Sequence, residues 1–330
     1  MTARKHAKRR PASALPAGRS GARRLLVGYK AADLEPQLLA ADVTCHTLDI
    51  YYAHALEKTH PGLKVVCSAR LPQGEWDEIF FRTGPKLMSG ELALDLMQEI
   101  HLLKPKTFRL DFIGRERDRN ELIGKIRDNP ERVRDFSCVW PASVPGGEKM
   151  MFTSYPGCFC HRRLDEGGLA LAEVVSRDLS ASGGGASGKL SLLDMGCGSG
   201  LVGLLVAGAV PGIELTMIDS HTRAVEAAKT NAAAFGIDAK VVLADDGINA
   251  LGAAAEGSFD VFAGNPPYYS DYRIAEVFLD TAKRALKKGG VCYSVVKNAA
   301  GLKPVQERYF KHVEVIPRRG YSVLKSIAES

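Results

Sequence analysis

The sequence predicts an α/β protein whose core is a doubly wound parallel sheet. Three observations support this: strand-like and helix-like segments alternate through the second half, glycines cluster directly after the first of these strands, and a similar strand pattern recurs in the first half. Strands separated by helical segments are typical of parallel sheets, because a crossover helix returns the chain to the start of the next strand. We therefore expect two α/β units in succession.

Each element of the second half has its own signal. Apolar runs predict the buried strands, which read KLSLLDMG, IELTMID, AKVVLAD, FDVFAG and VCYSVV. Apolar positions at helical spacing predict the helices LVGLLVAGAV and TRAVEAAKTNAAAFG, the second of them closed by Gly236. A third helix carries one apolar face, made of Ile274, Val277, Phe278, Ala282, Ala285 and Leu286.

The first half repeats the order of these strands. KVVC at 64–67 matches KVVL at 240–243, WDEIFF at 76–81 matches FDVFAG at 259–264, and LLKPKTFRLDFIG at 102–114 matches ALKKGGVCYSVVK at 285–297. An internal duplication is the economical interpretation, with a chance likeness between two α/β sheets as the alternative. The first copy has no clustered glycines, and SAR and TGPK stand where the second has ADD and NPPYY. We predict a degenerate, non-catalytic α/β domain over 25–148 and an active domain over 149–330.

Composition excludes several classes of protein. The chain has 330 residues, 45% of them apolar, but no apolar run of about 18 residues, so neither a membrane span nor a secretory signal is expected. Seven cysteines at irregular spacing fit the reduced thiols of a cytoplasmic protein. Cys158, Cys160 and His161 are close in sequence, but structural zinc needs four ligands, so no metal is expected.

The net charge of +6 is concentrated at the N-terminus. Residues 1–24 contain eight Lys and Arg residues and no acid, which leaves a net charge of −2 for the rest of the chain. The segment is also poor in apolar residues, so we expect a basic disordered tail. It serves either as a sequence-independent arm for phosphates or as an extension without a binding role.

The segment DMGCGSGLVG at 194–203 predicts a cofactor site. Gly196, Gly198 and Gly200 follow an apolar strand and open a helix, where the backbone turns tightly and can approach a ligand. Gly198, Gly200 and Gly203 also satisfy the dinucleotide fingerprint G-x-G-x-x-G. On glycine spacing alone, an NAD-dependent oxidoreductase therefore stays open.

Three further features favour S-adenosylmethionine over a dinucleotide. Asp194 precedes the glycines, where a carboxylate can meet the cationic methionine end of that cofactor. The acids Asp245 and Asp246 end the third strand, where one of them can accept from the adenine amino group, and NPPY ends the fourth. Asp219, which ends the second strand, would hold a ribose with either cofactor.

With these motifs in this order, the chain resembles the class I methyltransferases, and the expected fold is a Rossmann-like methyltransferase sheet preceded by a degenerate α/β domain of similar topology. The resemblance implies that the methionine end of S-adenosylmethionine is lined by Asp194, Gly196, Gly198 and Gly200. It also implies that Asp219 binds the ribose and that Asp245 or Asp246 contacts the adenine. Asp246 is preferred, because the following loop begins there.

The NPPY tetrad predicts a planar amine as the methyl acceptor. The lone pair of an exocyclic amine is delocalised, so the amine is a poor nucleophile. A site that accepts both N–H bonds, through the Asn265 side-chain oxygen and the Pro266 carbonyl, favours the geometry in which that lone pair points at the methyl group. The prolines restrict φ and hold the turn, and Tyr268 can stack on a flat substrate. Adenine N6, guanine N2 and the glutamine amide all satisfy this chemistry.

Two wider segments resemble the bacterial ribosomal RNA guanine-N2 methyltransferases of the methyltransferase small domain family. They are TSYPGCFCHRRLDEGGLALAEVV at 153–175 and the C-terminal VVKNAAGLKPVQERYFKHVEVIPRRGYSVLKSI. This resemblance implies methylation of guanine N2 in ribosomal RNA. Adenine N6 ranks second, because that family tends to have NPPFH where Tyr268 and Tyr269 follow the prolines here. Protein glutamine ranks third, because those enzymes typically carry a helical first domain.

The expected partner is ribosomal RNA or a ribosomal subunit. The pairs Arg162–Arg163 and Arg318–Arg319 could contact phosphates, whereas the cationic cluster at 115–119 alternates with acids and is more typical of a solvated surface. A non-catalytic RNA-binding assembly factor is the alternative outside the enzymes. The sequence leaves the oligomeric state open, with a monomer as the expectation.

Overall fold

A computed structural model describes residues 21–127, 133–184, 188–267 and 272–329, and it contains two α/β units. The first unit is a five-stranded parallel sheet with helices on its faces. Its elements are β1 (Arg23–Val27), β2 (Asp42–Thr47), α1 (Ile50–Thr59), β3 (Lys64–Cys67), β4 (Glu78–Thr83), α2 (Gly90–Leu103), β5 (Thr107–Phe112) and α3 (Glu116–Arg127). The strand order is β3-β2-β1-β4-β5.

A two-stranded hairpin follows the first unit. Its strands β6 (Cys138–Ala142) and β7 (Met150–Ser154) are antiparallel. The rings of Trp140 and Phe152 stack with their centroids 5.2 Å apart, and both belong to an apolar core of the second unit. The predicted boundary between residues 148 and 149 therefore lies in the loop of a hairpin that packs with the second unit. The extent of the two domains stays a prediction.

The second unit is built on a seven-stranded sheet. Its elements are α4 (Glu166–Ala181), β8 (Leu190–Met195), α5 (Leu201–Ala209), β9 (Ile213–Asp219), α6 (Thr222–Ala234), β10 (Ala239–Leu243), β11 (Phe259–Gly264), α7 (Arg273–Ala285), β12 (Leu286–Val296), α8 (Ala299–Gln306), β13 (Glu314–Arg318) and β14 (Tyr321–Ile327). The order is β10-β9-β8-β11-β12-β14-β13, with β14 antiparallel to both of its neighbours. Its first five strands repeat the order of the first unit, which confirms the predicted fold class and the similar topology of the two units.

Both faces of the seven-stranded sheet are covered. Leu192 and Leu193 on β8 are fully buried, and they belong to two separate apolar cores. Successive side chains of a strand point to opposite faces, so a strand that is apolar throughout needs helices on both sides. Here α4, α5 and α6 cover one face, and α7 and α8 cover the other. Within the described ranges, every helix is too short or too polar to cross a membrane.

The first strand begins within the predicted basic tail. Arg23 and Arg24 lie in β1, and Arg24 is fully buried. The Arg24 guanidinium donates to Glu78 on β4 at 2.6 Å and to the carbonyl of Leu38 at 2.7 Å. The tail prediction is wrong for these two residues, because the strand pairs them into the sheet and a carboxylate compensates the buried charge. Residues 1–20, which hold the other cations of the tail, lie outside the described residues.

Equivalent turns of the two units meet. The turn after β2 runs antiparallel to the turn after β9. The backbone N–H of Ile50 donates to the Ser220 carbonyl at 2.9 Å, and that of Thr222 donates to the Leu48 carbonyl at 2.7 Å. The carboxyl edge of the first sheet is therefore joined to the carboxyl edge of the second.

A buried cation strengthens the same contact. Arg223 on α6 is 1% exposed, and its guanidinium donates to Asp95 and to Glu99 on α2. Removing one partner of a buried ion pair leaves the other charge without compensation, at a cost of about 3–5 kcal/mol. This contact therefore holds α6 of the second unit against α2 of the first.

Candidate active site

The glycine loop after β8 has the backbone conformation that its sequence predicts. Gly196, Gly198 and Gly200 have φ values of +68°, +56° and +84°, a region that side chains other than glycine disfavour. A Cβ at Gly196 would lie 2.7 Å from the Phe278 ring, and one at Gly200 would lie 2.7 Å from Leu204. A Cβ at Gly198 would meet no atom within 4 Å. Packing therefore requires the outer two glycines, whereas a side chain at Gly198 would face open space.

Asp194 lies inside the fold, against the beginning of α5. Its side chain is 1% exposed, and Oδ2 accepts the backbone N–H of Gly203 at 2.9 Å. Burial raises the pKa of Asp194 to about 7. The observed contact is with the positive end of a helix, and the predicted interaction with the cationic end of a cofactor stays a prediction.

Asp219 connects the glycine loop to the turn after β9. Its carboxylate accepts the backbone N–H of Gly198 at 2.9 Å and that of His221 at 2.8 Å. Burial raises the pKa of Asp219 to about 6, although the side chain keeps partial exposure at the edge of the sheet. A carboxylate has about four acceptor positions, so these two bonds do not exhaust them, and the predicted contact with a ribose stays a prediction.

The two acids after β10 differ in their surroundings. Asp245 is largely buried, and its Oδ1 lies 3.2 Å from Nδ1 of His54 in the first unit. Asp246 is exposed and begins a short helical turn at Gly247–Leu251. The preference for Asp246 over Asp245 as the adenine contact stays a prediction.

The Asn-Pro-Pro turn lies beside the glycine loop. Strands β11 and β8 are parallel neighbours in which Gly264 pairs with Met195, so Asn265 and Gly196 leave the sheet side by side. Pro266 is buried, and Asn265 is partly exposed. The prediction that Tyr268 stacks on the substrate falls outside the described residues.

Two polar residues near these motifs were not predicted as site residues. Asn231 on α6 is fully buried, and its Nδ2 donates to the carbonyls of Thr153 and Ser199, which ties α6 to β7 and to the glycine loop. Asp165 accepts a hydrogen bond from Asn265 Nδ2 at 2.8 Å. An Asp followed by Glu-Gly-Gly indicates an N-cap, which is the signal the sequence offered for Asp165.

Three of the four cations expected to contact phosphates pair with acids. The pairs are Arg162 with Glu91, Arg318 with Glu173, and Arg319 with both Glu166 and Glu173. In the cluster at 115–119, Arg115 pairs with Asp118. Contact with RNA through these guanidinium groups therefore competes with existing ion pairs. Across the described residues, no group of three or more His, Cys, Asp or Glu side chains is placed to hold a metal ion.

A cavity of about 520 Å³ lies at the carboxyl edge of the first sheet rather than at the glycine loop. Its wall includes Gly28, which follows β1 as Gly196 follows β8. A Cβ at Gly28 would lie 2.5 Å from the Arg82 carbonyl oxygen. The turn after β1 has one glycine, whereas the loop after β8 has three. We therefore place the candidate active site at the glycine loop, where the predicted motifs meet, and not at the cavity.

These features define the fold of a class I methyltransferase. The sheet has seven strands, one of them antiparallel. A glycine loop follows its first strand in the chain, acids follow the next two, and an Asn-Pro-Pro turn follows the fourth. A model of the methyltransferase small domain matches residues 149–325, more than half of the chain. The chain belongs to this family, as its sequence motifs indicated.

Named relatives align with about half of the chain. The ribosomal RNA small subunit methyltransferase C of Pseudomonas paraeruginosa is 33% identical over 165 residues, which cover 49% of this chain and 46% of that protein. The protein of the same name from Aeromonas hydrophila is 29% identical over 175 residues, which cover 52% and 47%. The chain thus aligns with about half the length of these relatives.

One solved structure matches both units. It is the T. thermophilus 16S rRNA N2 G1207 methyltransferase in complex with AdoMet and guanosine, and the TM-score is 0.74 at 17% sequence identity. The match covers 96% of this chain and 90% of that one. Because it covers nearly the whole chain, this likeness extends the shared fold to the first unit.

Proposed function

We propose that this protein transfers a methyl group from S-adenosylmethionine to an exocyclic amine of ribosomal RNA. The observation that carries the proposal is the register of β8 and β11, which puts the Asn265 turn beside the glycine loop. A methyl donor held at the loop and an amine held at the turn would then meet at one edge of the sheet. The names of the relatives and of the solved structure support ribosomal RNA as the substrate.

S-adenosylmethionine, when bound, would supply an electrophilic methyl group. Gly198 and Asp219 are the residues whose geometry fits it, since one faces open space and the other keeps acceptor positions free. Asn265 and Pro266 accept the two N–H bonds of the amine and hold its lone pair toward the methyl group. The amine then loses one proton to water, so a strong base is not required.

Guanine N2 is the first choice of target atom. The solved structure, a 16S rRNA N2 G1207 methyltransferase, favours it over adenine N6, which the sequence NPPY keeps as the second choice. Glutamine ranks third, because the first unit is an α/β sheet rather than the helical domain typical of glutamine enzymes.

The test uses the purified protein, labelled S-adenosylmethionine and small ribosomal subunits from cells that lack the gene. We expect label in the RNA and, by mass spectrometry, N2-methylguanosine at one position. Asn265→Ala should lower kcat by about 100-fold or more while leaving the Kd of the cofactor unchanged. Label on protein alone would contradict an RNA substrate, and N6-methyladenosine would select the second target.

A further inference from the structure

Asn265 is held by a residue 100 positions earlier in the chain. Its Nδ2 donates to Asp165 Oδ2 at 2.8 Å. Asp165 is the N-cap of α4, where its Oδ1 accepts the backbone N–H of Gly167 at 3.1 Å. One carboxylate therefore contacts both the beginning of α4 and the end of β11.

Gly168 makes room for this carboxylate, and Gly167 makes room for the neighbouring Tyr321 ring. A Cβ at Gly168 would lie 2.6 Å from Asp165 Oδ2, and one at Gly167 would lie 3.1 Å from the Tyr321 ring. A larger residue at position 168 would displace the oxygen that Asn265 contacts. With glycine at position 168, the carboxylate lies against the first turn of α4, where the helix dipole favours a negative charge.

The hydrogen bond with Asp165 fixes the orientation of the Asn265 amide, that is, whether its oxygen or its NH2 group faces away from Asp165. An ionised carboxylate only accepts hydrogen bonds. A flipped amide would bring Asn265 Oδ1 against Asp165 Oδ2, with two acceptors at hydrogen-bonding distance and no proton between them. The NH2 group therefore stays at Asp165, and the oxygen is directed away from it. The neighbouring charge also polarises the amide and makes its oxygen a better acceptor.

We propose that Asp165 is a positioning residue, which orients the oxygen of Asn265 toward the substrate amine. The proposal rests on the function proposed above for the Asn265 turn. Without Asp165 the amide has two accessible orientations, and one of them presents N–H donors to the N–H donors of the substrate. The loss therefore falls on kcat rather than on cofactor binding.

Two substitutions of Asp165 separate orientation from helix capping. Serine is as good an N-cap as aspartate, but its shorter side chain cannot cap α4 and reach Asn265 together. Asparagine keeps the length and the cap, yet it can donate or accept, so it permits both orientations of Asn265. We expect D165S to lower kcat for the small ribosomal subunit about tenfold, which is the effect of losing one hydrogen bond to a charged group. D165N should lower it less.

The control is the Asp165→Ser substitution in the N265A variant, which lacks the Asn265 amide. Under single-turnover conditions with excess enzyme, Asp165→Ser should have no further effect in the N265A background, because its action passes through Asn265. Cofactor Kd and Tm identify any variant that fails to fold. Wild-type kcat in D165S, or an equal loss in both backgrounds, would overturn the positioning role. An inactive wild-type protein would instead overturn the proposed function, so the two failures are distinguishable.

Discussion

Replacing Asp219 with asparagine tests the connection between the glycine loop and the turn after β9. The carboxylate accepts backbone N–H bonds from Gly198 at 2.9 Å and from His221 at 2.8 Å. Asparagine has one acceptor oxygen, and its NH2 group would face the second N–H donor. The substitution therefore weakens the link to the loop and removes the charge that ribose hydroxyl groups would meet.

The expected effect is larger on cofactor affinity than on stability. A hydrogen bond to a charged group contributes about 1.5–3 kcal/mol, so the Kd of S-adenosylmethionine in D219N should rise roughly 10- to 150-fold in isothermal titration calorimetry. The unfolding free energy should change less. Burial raises the pKa of Asp219 to about 6, so removing the charge relieves a burial cost while it removes a hydrogen bond.

Asp260→Asn is the matched control for this experiment. Asp260 lies at the beginning of β11, at the opposite edge of the same sheet, and accepts the Ser191 backbone N–H at 2.9 Å and its hydroxyl at 2.8 Å. It also pairs with Lys287. D260N should lower Tm and leave the cofactor Kd within about twofold of wild type. An unchanged Kd in D219N, or an equal rise in both variants, would refute the assignment of Asp219 to the cofactor edge.

Two further predictions concern the glycine loop and its first acid. Gly196→Ala should lower the unfolding free energy measured in urea by about 1–3 kcal/mol, since its Cβ would meet Phe278. Gly198→Ala should cost less stability but raise the cofactor Kd about tenfold or more. Equal stability losses in the two variants would contradict this. Because burial raises the pKa of Asp194 to about 7, the stability that this proton contributes is fully present below the unfolded pKa of about 4 and is lost as pH rises through the folded pKa. Asp194→Asn should therefore reduce the fall of Tm between about pH 4 and pH 7, and an unchanged slope would argue against the shift.

The order of the motifs made their convergence at one edge of the sheet predictable. In a parallel sheet every strand ends at the same edge, so residues that follow four different strands converge in space. The loop at Gly196, the acid at Asp219 and the turn at Asn265 were placed in this way. The strands could be recognised as continuous apolar runs, because both faces of the sheet are covered by helices.

Contacts across distant segments could not be predicted in the same way. Asp165 and Asn265 are separated by 100 positions, and no local pattern connects an N-cap with a turn after a strand. Arg24 counts as a tail cation by composition, but strand pairing places it beside Glu78. The sequence around Trp140 resembles a linker, because the loop of this hairpin is rich in proline and glycine and the two strands that it joins are short.

The first unit lacks the glycine loop and yet fixes the turn that carries Asp219. The carbonyl of Ser220, the next residue, accepts the Ile50 N–H at 2.9 Å, and the Ser220 hydroxyl donates to Asp49 at 3.2 Å. On its other side the Asp219 carboxylate is held by the Gly198 N–H. A group held from two directions loses little freedom when a ligand binds, which lowers the entropic cost of binding. The link through Ile50 uses backbone atoms, so it tolerates divergent side chains in the first unit, provided that the strand order keeps the two turns adjacent.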